Sequence, residues 1–172
     1  MTLNILILLD DNYIDYASAM LESLFENNRE ESISVYIIRD NMPTEKGIGI
    51  LRGVIDRFDN GELKLVQIDK DFKAGLDGFN LKRWPVETFF RIYSPWILDA
   101  SVERILYLDT DTIVNGSLAG LYASELNGRL IGACRDTAIL SFGNRLKQGM
   151  VGKSPEEFLS LVRCSRADAE RE

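Results

Sequence analysis

The sequence predicts an α/β fold with a mostly parallel sheet. Three observations carry that prediction. Short apolar runs alternate with amphipathic helical stretches four or five times along the 172 residues. The first run, Leu3 to Leu9, is broken only by Asn4, as in a strand covered on both faces. Carboxylates close three of the runs, at Asp10-Asp11, at Asp109 with Asp111, and at Asp136. Those positions matter because open parallel sheets bind ligands beyond the carboxyl ends of their strands.

After Asp10-Asp11-Asn12-Tyr13, the stretch from Ile14 to Asn28 reads as a helix, with Ile14, Ala17, Met20, Leu21, Leu24 and Phe25 on one face. Ser32 to Ile38 reads as a second strand, and Asn41-Met42-Pro43 as a turn. Thr44 is a fitting N-cap for a helix to about Phe58, although Gly47, Gly49 and Gly53 weaken it. Leu63 to Ile68 alternates as a third strand. Asp69 to Lys82 is irregular, and a loop of that length in a compact domain is usually functional or mobile. Pro85 suits the first turn of a helix through Phe90, Arg91 and Tyr93, which Pro95 and Trp96 are expected to interrupt. Arg104 to Val114 carries the next strand, then a short helical piece from Leu118 to Leu126, then an apolar strand from Leu130 to Cys134. Ser154 with Glu157 forms a capping box for a late helix.

Composition narrows the chemistry. The formal net charge of −7 argues against a general nucleic-acid binder and suits a protein that recruits cations. Two cysteines, Cys134 and Cys164, are too few for a disulfide framework and lack metal-ligand spacing. No basic segment precedes the first apolar run, and no stretch is apolar for about 18 residues, so the expectation is a cytoplasmic protein without a membrane span. There is no histidine. Histidine acid–base catalysis, serine and cysteine triads and histidine-bound zinc are therefore excluded within these residues.

The motif richest in chemistry is Leu106-Tyr107-Leu108-Asp109-Thr110-Asp111. In an extended segment, residues i and i+2 point to one side, so Asp109 and Asp111 can converge on a point past the strand end. Two like charges held together call for compensation, and a divalent cation with oxygen ligands supplies it. A solvated turn that carries two aspartates is the competing reading, and the short pattern alone favours it. Two other families share fragments of this chain. Leu9-Asp10-Asp11 looks like the acidic pair of a phosphorylation-receiver domain, but Met42-Pro43 follows the second strand rather than the third. Asp109-Thr110-Asp111 resembles the nucleophile motif of haloacid-dehalogenase-type phosphatases, but that motif belongs on the first strand and here comes after about a hundred residues.

Four fragments in order resemble the family-eight retaining glycosyltransferases, the group that includes lipopolysaccharide galactosyl- and glucosyltransferases and glycogenin. They are Asp10 to Tyr13, Thr88 to Tyr93, Tyr107 to Asp111, and Ile131 to Asp136. The resemblance implies a GT-A fold, a Rossmann-like nucleotide-diphospho-sugar layer. It implies transfer of a hexose from a UDP-sugar, with retention, to a saccharide or glycolipid acceptor such as lipopolysaccharide. It also implies roles for single residues. Asp109 and Asp111 would ligate Mn²⁺ or Mg²⁺, with Asp109 also near the donor. Asp10, Asn12 and Tyr13 would hold the uridine, Arg91 would approach the diphosphate or sugar, and Asp136 would contact sugar or acceptor. No residue is assigned as catalytic.

The likeness runs over residues 1–136, expected as the nucleotide-sugar core, with 137–172 a diverged tail of the same domain. Members of that family continue into a Phe-Asn-x-Gly strand and a His-x-x-Gly-x-x-Lys-Pro-Trp segment that supplies a third metal ligand. Neither stands in Thr137 to Glu172. The chain is thus expected to be the donor-binding portion, with the C-terminal part of the fold missing. Peripheral membrane association would come from that missing region. Activity of this chain alone is left open beside a non-catalytic nucleotide-sugar-binding module.

Overall fold

The computed structural model describes residues 1–68 and 87–133. The chain divides into two compact units, Met1–Ser124 and Glu125–Glu172. The irregular stretch 69–82, the helix start at Pro85, Cys134, Asp136 and the late helix at Ser154 lie outside the described residues.

The first unit runs β1 (Thr2–Ile7), a 3-10 turn (Asp11–Tyr13), α1 (Ile14–Glu26), β2 (Ser32–Arg39), α2 (Glu45–Ile55), β3 (Gly61–Gln67), α3 (Glu87–Ile97), β4 (Leu106–Tyr107) and α4 (Ala119–Tyr122). The four strands form one sheet in the order β3-β2-β1-β4, all parallel. Chain order runs outward from β1 to β3 and then returns to the other side of β1. That reversal is the topological switch point of a doubly wound sheet.

Both faces of the sheet are covered, which explains the continuous apolar runs. On one face Leu3, Ile5 and Ile7 of β1 and Ile33, Val35 and Ile37 of β2 pack against α1 and α2, through Met20, Leu21, Phe25, Ile48 and Leu51. On the other, Leu6, Tyr36 and Ile38 pack against Phe90 of α3. Each such fully buried side chain contributes roughly 1.5–3 kcal/mol over its exposed state.

Most boundaries fall within a turn of the expected ones. Thr44 caps α2 as its sequence position suggests, its side chain accepting from the Gly47 amide. The glycines that weaken α2 on propensity are not alike. A Cβ at Gly47 would lie 2.5 Å from Asp11 Oδ1 and 2.9 Å from Ile14 Cδ1, whereas at Gly49 and Gly53 it would meet open space. Gly47 leaves room for the Asp11 and Ile14 side chains where α2 approaches the end of β1.

Two expectations are corrected. Pro95 does not interrupt its helix, for α3 continues through it to Ile97. Proline there removes the amide that would have bonded the Arg91 carbonyl. Ser94 replaces that donor, its hydroxyl reaching Arg91 O at 3.0 Å, and the Leu98 amide still bonds Ser94 O at 2.9 Å. Leu130 to Ala133 forms no strand. Leu130 is 96% exposed and Ile131 76%, and a turn at Asn127-Gly128, both at positive φ, precedes them. An apolar run becomes a strand only where a partner edge accepts it, and among the described residues this one pairs with none.

Candidate functional site

The site lies at the carboxyl ends of β1 and β4, the neighbouring strands at the switch point. Beyond β1, Asp10 caps the 3-10 turn. Its Oδ1 accepts from the Asn12 amide at 2.8 Å, and its Oδ2 accepts from Asn12 Nδ2 at 3.3 Å. The turn leaves Tyr13 46% exposed, its ring tilted against Tyr16 with centroids 5.8 Å apart. Asp11 turns the opposite way. Its Oδ1 accepts from both the amide and the hydroxyl of Thr44, each at 3.0 Å, and so ties the end of β1 to the cap of α2.

Beyond β4 the chain bends. Leu108 still bonds β1 through its amide to Leu6 O at 3.1 Å, and Thr112 Oγ1 then closes a turn on Asp109 O at 2.7 Å. Thr110 is buried, while Asp109 and Asp111 on either side are exposed. Both carboxylates are thus open to solvent, although the regular strand has ended at Tyr107 and Thr110-Asp111 form a turn. The segment after Thr112 is moored to the far end of α1. Val114 bonds Ser23 Oγ and Asn27, and the Leu118 amide bonds Asn28 Oδ1 at 2.7 Å.

Three side chains meet at this strand end, and two of them address Asp109. Tyr107 donates its hydroxyl to Asp109 Oδ1 at 2.6 Å. Arg91, from α3, lies over the Tyr107 ring with its guanidinium carbon 4.7 Å from the centroid, and Arg91 Nη1 stands 4.0 Å from the same Oδ1. Burial pushes the Tyr107 hydroxyl well above its ordinary value near 10, and the bond to Asp109 adds to the rise. Tyr107 therefore stays a donor at every physiological pH. No hydrogen bond or ion pair among the described residues engages Asp111.

The structure thus brings Asp10, Asn12 and Tyr13 to one strand end and Arg91, Asp109 and Asp111 to the next. Asp136 lies outside the described residues. Sequence reasoning missed Tyr107 and the mooring role of Asp11. The first could have been read from alternation, since Tyr107 and Asp109 are two apart and share a side.

Which residues could hold a cation is a matter of donor chemistry. Asp109 and Asp111 offer hard, exposed oxygens, which suit Mg²⁺ or Mn²⁺. Among the described residues no group of three or more His, Cys, Asp or Glu is placed to hold a metal. The pair fits an ion that takes its remaining oxygens from a ligand and water.

Comparison with known proteins decides the family. The model of glycosyl transferase family 8 matches residues 4–160. This chain belongs to glycosyl transferase family 8. A lipopolysaccharide 1,2-glucosyltransferase of Escherichia coli is 32% identical over 117 residues, covering 68% of this chain and 33% of that enzyme. Glycosyltransferase GlyF of Streptococcus pneumoniae serotype 4 is 29% identical over 136 residues, covering 77% and 31%. The family 8 chain therefore spans about a third of the length of the curated relatives it matches. Among solved structures, the galactosyltransferase LgtC in complex with donor and acceptor sugar analogs superposes with a TM-score of 0.64 at 22% identity, over 87% of this chain and 52% of that one. The bifunctional glycosyltransferase WbbM superposes at 0.69 and 17% identity, over 83% and 24%. These likenesses establish the GT-A fold. No helix among the described residues is long and apolar enough to cross a membrane.

Proposed function

We propose that this chain is the donor-binding portion of a metal-dependent glycosyltransferase that moves a hexose from a UDP-sugar, with retention, to a saccharide or lipopolysaccharide-type acceptor. The observation that carries the proposal is the pair of exposed carboxylates, Asp109 and Asp111, at the switch point of a family 8 GT-A sheet. Asp109 and Asp111 would hold Mn²⁺ or Mg²⁺. When bound, that ion stabilises the negative charge that builds on the leaving diphosphate.

The remaining roles fall to residues of this chain. Asp10 and Asn12, already fixed to each other by the Asx turn, present a carboxylate edge and an amide to the edge of uracil. Tyr13 offers an exposed ring face for the base. Arg91 presents a forked cation suited to diphosphate oxygens, its plane braced on Tyr107. Asp136 is proposed to contact the sugar or acceptor. The partner classes are the nucleotide-sugar donor and a saccharide or glycolipid acceptor, with residues 1–136 as the nucleotide-sugar core and a cytoplasmic site of action. A second reading, a nucleotide-sugar-binding module without turnover, is favoured by one observation: among the described residues no group of three or more His, Cys, Asp or Glu is placed to hold a metal.

Thermal unfolding tests the donor site. A ligand at a hundred times its Kd stabilises by about 2.7 kcal/mol, so UDP with Mn²⁺ is expected to raise Tm by several degrees. No shift with UDP, with or without metal, overturns the donor-site reading. UDP release from UDP-hexoses then separates the readings. Turnover supports the transferase, and UDP affinity without turnover supports the module.

A further inference from the structure

We infer that Tyr107 is a positioning residue for the metal-binding carboxylate: it occupies Asp109 Oδ1 with its hydroxyl and leaves Oδ2 as the oxygen open to a cation. The inference rests on the metal-site reading above and adds to it the device that aims the ligand.

The geometry is built from three elements. Tyr107 is the last residue of β4, paired in register with Leu6 of β1, so its backbone is fixed by the sheet. Its ring is half-buried and packs in the apolar layer with Leu6 and Phe90, which fixes the ring's direction. Arg91 from α3 covers the ring face at 4.7 Å and restrains it from the solvent side. A hydroxyl so placed reaches Asp109 Oδ1 at 2.6 Å. Arg91 Nη1, at 4.0 Å, addresses the same oxygen. Both partners therefore converge on Oδ1.

An exposed aspartate without such a partner samples several rotamers, and ordering it on binding costs free energy. A carboxylate held through one oxygen meets an incoming cation already oriented. Removal of a partner of this kind typically weakens metal affinity by about 10–100-fold. Asp111, which no hydrogen bond or ion pair among the described residues engages, contrasts within the same motif. It is free to adapt to the ion that Asp109 has located.

The test is the Tyr107→Phe variant of the protein at its natural length. Phenylalanine keeps the ring, its packing and the face beneath Arg91, and loses only the hydroxyl. Mn²⁺ binding is read from the electron paramagnetic resonance signal of free aqueous Mn²⁺ in the presence of UDP. Tyr122→Phe serves as the structural control. The Tyr122 hydroxyl donates to Arg104 O at 2.7 Å, at the opposite end of β4. The expected result is at least a tenfold rise in the apparent Mn²⁺ Kd for Tyr107→Phe and an unchanged Kd for Tyr122→Phe. Wild-type binding with unchanged affinity in Tyr107→Phe overturns the positioning role and leaves the metal site standing. An equal loss in both variants shows general loosening and overturns it too. No Mn²⁺ binding by the wild type overturns the metal site and the positioning role together.

Discussion

Two acidic motifs end two neighbouring strands of this protein, and they are used differently. Asp10-Asp11 lies beyond β1, and Asp109-Thr110-Asp111 lies beyond β4. The first pair serves largely the fold. Asp10 caps the 3-10 turn through Asn12, and Asp11 binds Thr44 through two hydrogen bonds to one oxygen. In the second pair, Asp109 is held by the Tyr107 hydroxyl, and no hydrogen bond or ion pair among the described residues engages Asp111. Asp10 caps the turn that Asp11 begins, and Asp11 reaches the cap of the neighbouring helix. Of the three residues Asp109-Thr110-Asp111, the buried Thr110 takes the inward position and both aspartates are exposed. Asp11 is thus a fastening of the fold, and Asp109 with Asp111 is an exposed set of oxygen donors.

The contrast can be broken by mutation, and the largest effect is expected at the alternating pair. Asp109→Asn with Asp111→Asn is expected to abolish the metal-dependent part of the stabilisation by UDP and Mn²⁺, whose total is about 2.7 kcal/mol at a hundredfold excess over Kd. Thermal melts with and without metal read this. A full metal-dependent shift in the double variant would rule these residues out as ligands. Gly47→Ala probes the fastening. The new methyl would press on Asp11 Oδ1 and Ile14, and the expected loss is roughly 1–3 kcal/mol in denaturant unfolding, with UDP binding retained. An unchanged midpoint would show that α2 and the β1 end do not meet as closely as described.

The smallest effect is expected at a carboxylate remote from both motifs. Glu62 on β3 is held below its ordinary value near 4.5, chiefly by its bond to Lys64 and then by the Ser34 hydroxyl. Its folded value is depressed, so its contribution is fully present above pH 4.5 and fades as pH falls through the lowered value. Glu62→Gln is expected to flatten that acid limb slightly, since the pair is largely exposed. Stability curves over the acid range check it, and an unchanged slope would contradict it.

Much of the fold was legible because the local signals agree. The apolar runs of β1 and β2 are continuous where both faces are covered, and the face of α1 is the face that packs. The illegible parts depend on partners distant in sequence. Gly47 reads as a weak helix position until Asp11 is placed beside it, 36 residues earlier in the chain. Pro95 reads as a break until Ser94 supplies the missing donor for Arg91 O. Leu130 to Cys134 reads as a strand from composition alone, and composition carries no information about an available edge. The site divides in the same way. Asp109 and Asp111 could be found from spacing, while the convergence of Tyr107 and Arg91 on Asp109 required α3 to be folded over β4.

The most direct measurement compares one residue from each motif in one assay. Mn²⁺ is titrated, at saturating UDP, into Asp11→Asn and Asp111→Asn, and the Tm of each is recorded without ligand. Asp111→Asn is predicted to raise the apparent Mn²⁺ Kd by roughly tenfold or more while leaving the unliganded Tm unchanged. Asp11→Asn is predicted to lower the unliganded Tm, through a loss of about 1 kcal/mol, and to leave the Kd within about twofold. Equal Mn²⁺ affinity in Asp111→Asn and the wild type would contradict the account at its centre.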